Sequence, residues 1–195
     1  MTDADRAMMV RLFPAIEKIQ DGPMKEKVMA TWFHAWRRSN FPSIEAVHQF
    51  EPARRRIAYT NVEHTNQVCR ACEAMAESLS ALFPLKIQGD ELRAGAILHD
   101  VDKLLIFDYE TGGFSETGRR FAHAVLGASM ALQEGLPESV AHMIGAHSFR
   151  FSPMPPATVE ALLLRHLDHV VAQSHYFLQG LDMDRVLAES LAGLK

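Results

Sequence analysis

Apolar residues recur three and four positions apart along most of this chain, and alternating apolar–polar runs are nearly absent. That is the pattern of helices that bury one face. Residues 4–20 read as a helix bent or split near Pro14, and 23–39 as a second opened by Pro23. A short helix at 43–49 precedes an irregular stretch, 50–59, that carries Arg54, Arg55 and Arg56. Thr60 and Glu63 have the spacing of a capping box, so a helix over 61–83 is expected to follow. Asp90 is placed to cap a helix over 91–106. The polar, Gly-rich run 108–118 reads as a loop, and 119–134 as a helix stopped by Gly135. Pro137 opens a helix to about 147, 148–157 is a Pro-rich loop, and helices at 158–179 and 182–193 complete the chain. Together these predict an all-α domain of seven to nine helices.

Composition narrows the classes. The 195 residues suit one compact domain, with 1–50 expected as a helical extension packed on a core formed by 51–195. Apolar residues make up 48% and charged residues 23%, which argues for a folded chain. The net charge of −4 lacks the basic excess of a protein held mainly by nucleic-acid phosphates, so no stable nucleic-acid complex is expected. No apolar run is long enough to span a bilayer, and the opening MTDADRAMMVRLF does not read as a signal peptide. Two cysteines cannot form a disulfide framework, and the expected compartment is the cytoplasm. The CxxC pair Cys69 and Cys72 falls inside a helix and reads as packing.

The ten histidines change the picture. Asp168 shares an apolar helix face with Leu164, Val171 and Ala172, and His99 and Asp100 interrupt the apolar run AGAILHDVDKLLIF. His64, His123 and His147 are flanked by small or apolar residues. A buried carboxylate is costly unless paired or metal-bound. Five helices that must share one core each bring such a residue, which points to one shared metal site. Imidazole and carboxylate donors without cysteine suit Fe, Mn, Zn, Ni or Co and argue against a structural zinc site.

The order His64, His99-Asp100, His123, His147, Asp168 resembles the HD-domain superfamily of metal-dependent phosphohydrolases. The resemblance runs over about residues 57–175, through EHTNQV, AGAILHDVDK, FAHAVLGASMAL, VAHMIGAHS and LLLRHLDHV. It implies an HD-domain helical bundle with two divalent transition metal ions, Fe or Mn ahead of Zn, Ni or Co. One ion would lie on His64, His99, Asp100 and Asp168. Asp100 would bridge to a second ion on His123 and His147. His142 and His147 are five apart and face different sides of a helix, and the family order favours His147. Lys103, one turn after His99, would contact phosphate; Asp102 is expected to be exposed.

The resemblance implies hydrolysis of a phosphate ester or anhydride, with nucleotides among the candidate substrates, by a metal-bridging hydroxide. Two alternatives accompany it: a di-iron oxygenase of the same fold that cleaves a C–H or C–P bond, and a non-catalytic metal-binding or sensory module. One of Arg119 and Arg120 is placed to face the pocket, and the arginine run 54–56 to recruit phosphate or to stay solvated. His166 and His169 flank Asp168 as supporting or surface groups, and Trp32, Phe33 and Trp36 with Met29 form a face for the core or a homodimer.

Overall fold

In the computed structural model, residues 1–152 and 154–192 are described. Pro153, in the expected Pro-rich loop, and residues 193–195, at the expected end of the last helix and of the core unit, lie outside them. The fold is all-α. Among the described residues, eight helices have nine or more residues: α1 (Asp3–Leu12), α2 (Gly22–Arg38), α3 (Asn61–Leu82), α4 (Gly89–Leu98), α7 (Val125–Gln133), α8 (Glu138–Ala146), α9 (Val159–Leu178) and α10 (Met183–Ala192). Two are single turns, α5 (Lys103–Ile106) and α6 (Glu116–Arg120). Among the described residues the β-structure is confined to isolated bridges, His48–Thr60 and Phe107–Phe114.

The helix starts follow local chemistry. Thr60 Oγ accepts from the Glu63 amide at 3.1 Å while the Thr60 amide donates to Glu63 Oε2 at 2.9 Å, closing the expected capping box of α3. Asp21, Ser115 and Thr158 cap α2, α6 and α9 in the simpler way. Asp90 is not the cap of α4: it lies inside the helix and accepts from the Gln20 and Asp21 amides, both at 2.9 Å.

Two expected helices are broken, and both breaks serve the centre of the fold. The expected helix 91–106 stops at Leu98 and resumes as α5, leaving His99–Asp102 as a turn. The expected helix 119–134 divides into α6 and α7 around His123, where Ala124 takes a positive φ of 72°. Gly118 packs against the Ile106 carbonyl so closely that a Cβ there would sit 2.1 Å from its oxygen. This contact seats α6 on α5.

α3 packs against α4 and α9, and α4 and α7 against α8, so that α4 is enclosed. The first fifty residues form part of the same core. Trp32 is fully buried, stacks on Phe13 at 4.6 Å, and donates from Nε1 to the Ile97 carbonyl at 3.0 Å. That carbonyl lies at the open C-terminal end of α4, where no following helical amide reaches it. Asn66 likewise donates to Leu12 O at 2.8 Å. Cys69 and Cys72 are free and buried; burial pushes the Cys69 thiol well up and the Cys72 thiol to about 12. Both pack in the core, as the sequence reading expects.

Trp32→Phe keeps a ring against Phe13 but strands the Ile97 carbonyl. It should destabilise the protein by about 1–3 kcal/mol in urea unfolding. An unchanged midpoint would show that this bond does not anchor α4.

Candidate metal centre

The imidazoles of His64, His99, His123 and His147 and the carboxylates of Asp100 and Asp168 converge at the meeting point of α3, α4, α8 and α9. His64 occupies the first turn of α3, and His99 and His147 end α4 and α8. His123 sits in the α6–α7 break and Asp168 in the middle of α9. His64, His99, Asp100 and His147 are buried, and His123 and Asp168 are nearly so.

Every ring is oriented through Nδ1. His99 Nδ1 donates to Ala96 O and His147 Nδ1 to Ile144 O, both at 2.7 Å. Each of these is the carbonyl three residues back at a helix end. His123 Nδ1 faces the Asp102 carboxylate at 3.0 and 3.1 Å. Tyr59 donates its hydroxyl to Gln67 Oε1 at 2.7 Å, so it accepts from His64 Nδ1 at 3.1 Å. With Nδ1 committed as donor, each neutral ring presents a bare Nε2 lone pair.

Those lone pairs meet. His64 and His99 Nε2 are 3.2 Å apart, and His123 and His147 Nε2 are 3.1 Å apart. His64 Nε2 lies 2.8 Å from Asp168 Oδ1. Such acceptor pairs are stable only with a shared proton or a cation between them. Asp100 divides the cluster. Its Oδ2 lies 3.5 Å from His64 Nε2 and 3.3 Å from His99 Nε2, whereas Oδ1 lies 3.2 Å from His123 Nε2 and 3.7 Å from His147 Nε2. Two groups of ligand-type atoms result, His64–His99–Asp100 and Asp100–His123–His147, and either could hold a metal ion. The donor set fits a divalent transition metal.

The electrostatics follow burial and the two carboxylates. Burial lowers His64 despite the opposing Asp168, and burial with the neighbouring His123 lowers His147 to about 4. Burial also opposes charge on His99 and His123, but Asp100 raises His99, and Asp102 with Asp100 raises His123 to about 10. Asp100 is held well below the carboxylate range, against burial, by Lys103 and His99. Asp168 is likewise depressed by His64.

Lys103 is buried, with Nζ 2.6 Å from Asp100 Oδ2, and it lines the cavity that opens from the cluster. Asp102 corrects the expectation of an exposed residue: it is fully buried and accepts from His123 Nδ1 and, at 3.3 Å, from the Ala124 amide. The α4–α5 break turns its side chain inward, and this contact holds the positive φ of Ala124 in place. Asp102 interrupts the same apolar run as His99 and Asp100, so the criterion that singles those out applies equally to it. Tyr59 carried no signal, because its role depends on a fold-level contact.

Other candidates fall outside the centre. His142 accepts at Nε2 from the Ala157 amide at 2.9 Å. Arg54 is tied to Glu51 and to the Tyr109 carbonyl, and Arg56 to Glu189, so neither faces the cluster. Arg119 and Arg120 are exposed, Arg120 pairs with Glu116, and neither lines the cavity; Gly118, Phe121 and Ala122 do. His169 lines the cavity, and His166 packs against Phe149.

A family model described as HD domain matches residues 61–173. Among curated proteins the chain is similar to dihydroneopterin 2',3'-cyclic phosphate phosphodiesterase of Methanocaldococcus jannaschii, 26% identical over 109 residues, 55% of this chain and 44% of that protein. It is also similar to ribonuclease Y of Acidothermus cellulolyticus, 33% identical over 86 residues, 44% of this chain and 15% of that protein. Ribonuclease Y of Salinispora tropica is 33% identical over 84 residues, 43% of this chain and 12% of that protein. The chain therefore spans less than half the length of each of these relatives. No solved structure gives a significant match. The family match covers more than half of the chain and contains all six converging residues: this protein belongs to the HD-domain family.

Proposed function

We propose that this protein is a metal-dependent phosphohydrolase that cleaves phosphodiesters at a centre of two divalent cations. The carrying observation is the split of Asp100, one oxygen toward His64 and His99 and the other toward His123 and His147. In this reading Asp100 would hold both ions, one with His64, His99 and Asp168 and the other with His123 and His147, and iron or manganese would be the native metal. Residues 51–195 form the catalytic unit, with 1–50 packed on it. The three relatives named above are a phosphodiesterase and two ribonucleases, which favours hydrolysis over the oxygenase alternative.

Cations bound there supply Lewis-acid chemistry, acidifying water and neutralising phosphoryl charge. The protein's own groups do the rest. Asp102, Tyr59 and the Ala96 and Ile144 carbonyls hold all four imidazoles in the tautomer that leaves Nε2 free. Lys103 places an ammonium at the floor of the cavity, where it stabilises negative charge building on the phosphoryl oxygens. The enclosing helices keep these groups in a low-dielectric setting, where such a charge acts strongly.

Protein reconstituted with manganese should release 4-nitrophenolate from bis(4-nitrophenyl) phosphate at the same rate with and without O2, and chelator should abolish the release. Failure to cleave with two ions bound would refute the hydrolytic reading.

In the same assay Lys103→Ala should retain its metals and lose turnover by about 10²–10³-fold, the usual cost of removing one donor aimed at developing charge. Wild-type turnover would remove Lys103 from the mechanism. Equal loss of metal and activity would make it a support for Asp100 instead.

A further inference from the structure

The cavity above the cluster has a volume of about 440 Å³, within the usual range for small-molecule sites. Its walls are aromatic. Six of the eleven phenylalanines line it: Phe50, Phe107, Phe114, Phe121, Phe149 and Phe151. The inner three form one packed group, with Phe107 edge-on at 5.8 Å from Phe50 and tilted at 5.3 Å from Phe114. The outer three stand at the rim and keep 52%, 46% and 37% of their surface in water. Phe151 meets the His123 ring edge-on at 6.2 Å, so the aromatic wall begins beside the cluster itself. Apolar rings held in water around a polar floor mark a binding surface.

Charge is scarce along these walls. Among the described residues the lining carries two basic side chains with permanent charge, Lys103 and Arg150. Lys103 is paired with Asp100, and Arg150 donates to Asp184 at 2.9 Å. A polynucleotide groove needs a row of unpaired cations to track successive phosphates. This cavity offers one polar floor for one phosphoryl group and a mostly aromatic wall, in which the Arg150–Asp184 pair is neutral overall, for what is attached to it.

We infer that the substrate is a small phosphodiester that carries a flat, uncharged aromatic or heteroaromatic ring system, seated among these phenylalanines with its phosphate on Lys103 and the cluster. This deepens the phosphodiesterase reading and rests on it for the position of the phosphate. Rings pack on rings by offset or edge contacts whatever their substituents, so the wall selects ring over chain.

The test is binding, measured apart from turnover. Isothermal titration calorimetry of the manganese-reconstituted protein compares phenylphosphonate with methylphosphonate, two ligands with the same head group that resist hydrolysis. Phenylphosphonate should bind about 10-fold more tightly, about 1.4 kcal/mol. The ratio should fall below about 3-fold in both Phe121→Ala and Phe151→Ala, rim positions whose exposure favours folding of the variants. Equal affinities, no binding of either, or an unchanged ratio in both variants would overturn the inference. So would a single-stranded RNA oligonucleotide that binds more tightly than phenylphosphonate with a steep salt dependence. A phenyl preference in protein that fails to cleave bis(4-nitrophenyl) phosphate would leave the aromatic subsite standing and remove the hydrolytic reading alone.

Discussion

Four imidazole Nε2 atoms, held in two close pairs around the Asp100 carboxylate, are the constraint around which this molecule is built. Left to themselves they repel, and the rings would turn to find donors. They do not turn because each Nδ1 is already committed, to Tyr59, to Asp102 and to the Ala96 and Ile144 carbonyls. Two of these partners are backbone carbonyls in the last turns of α4 and α8. Where the helices stop is thus part of the site. So is the scaffold behind them: Trp32, from the first fifty residues, fixes the end of α4 through the Ile97 carbonyl.

Stability and function pull against each other here. Asp100, Asp102, Lys103 and three of the histidines are buried together, an arrangement that costs desolvation energy on folding. The pairing of Lys103 with Asp100 and of Asp102 with His123 offsets part of that cost. A bound cation would offset more, and would stabilise the fold by mass action. The large apolar core spread over α1–α4 and α8–α9 carries the remainder.

Much of this was legible in the chain. The capping box at Thr60 located the start of α3, and with it His64, because capping is local chemistry between residues three apart. His99, Asp100, His123, His147 and Asp168 stood out because polar groups on apolar faces need partners, and the family order of these residues grouped them. The helix breaks at 99–102 and 121–124 were not legible, since helical periodicity continues through both and only tertiary contacts interrupt it. Asp102 interrupts the same apolar run as His99 and Asp100, but its partners, His123 Nδ1 and the Ala124 amide, lie in the α6–α7 break and meet it only in the fold. The aromatic cavity was invisible too, because its phenylalanines come from segments spread between residues 50 and 151 and meet only in the fold.

The central claim, that Asp100 bridges two cations, is tested most directly by anomalous diffraction at the manganese edge from crystals of the reconstituted protein. Two peaks are expected, one beside each oxygen of Asp100, the first among His64, His99 and Asp168 and the second between His123 and His147. A single peak, or peaks that leave either Asp100 oxygen without a metal, would contradict it.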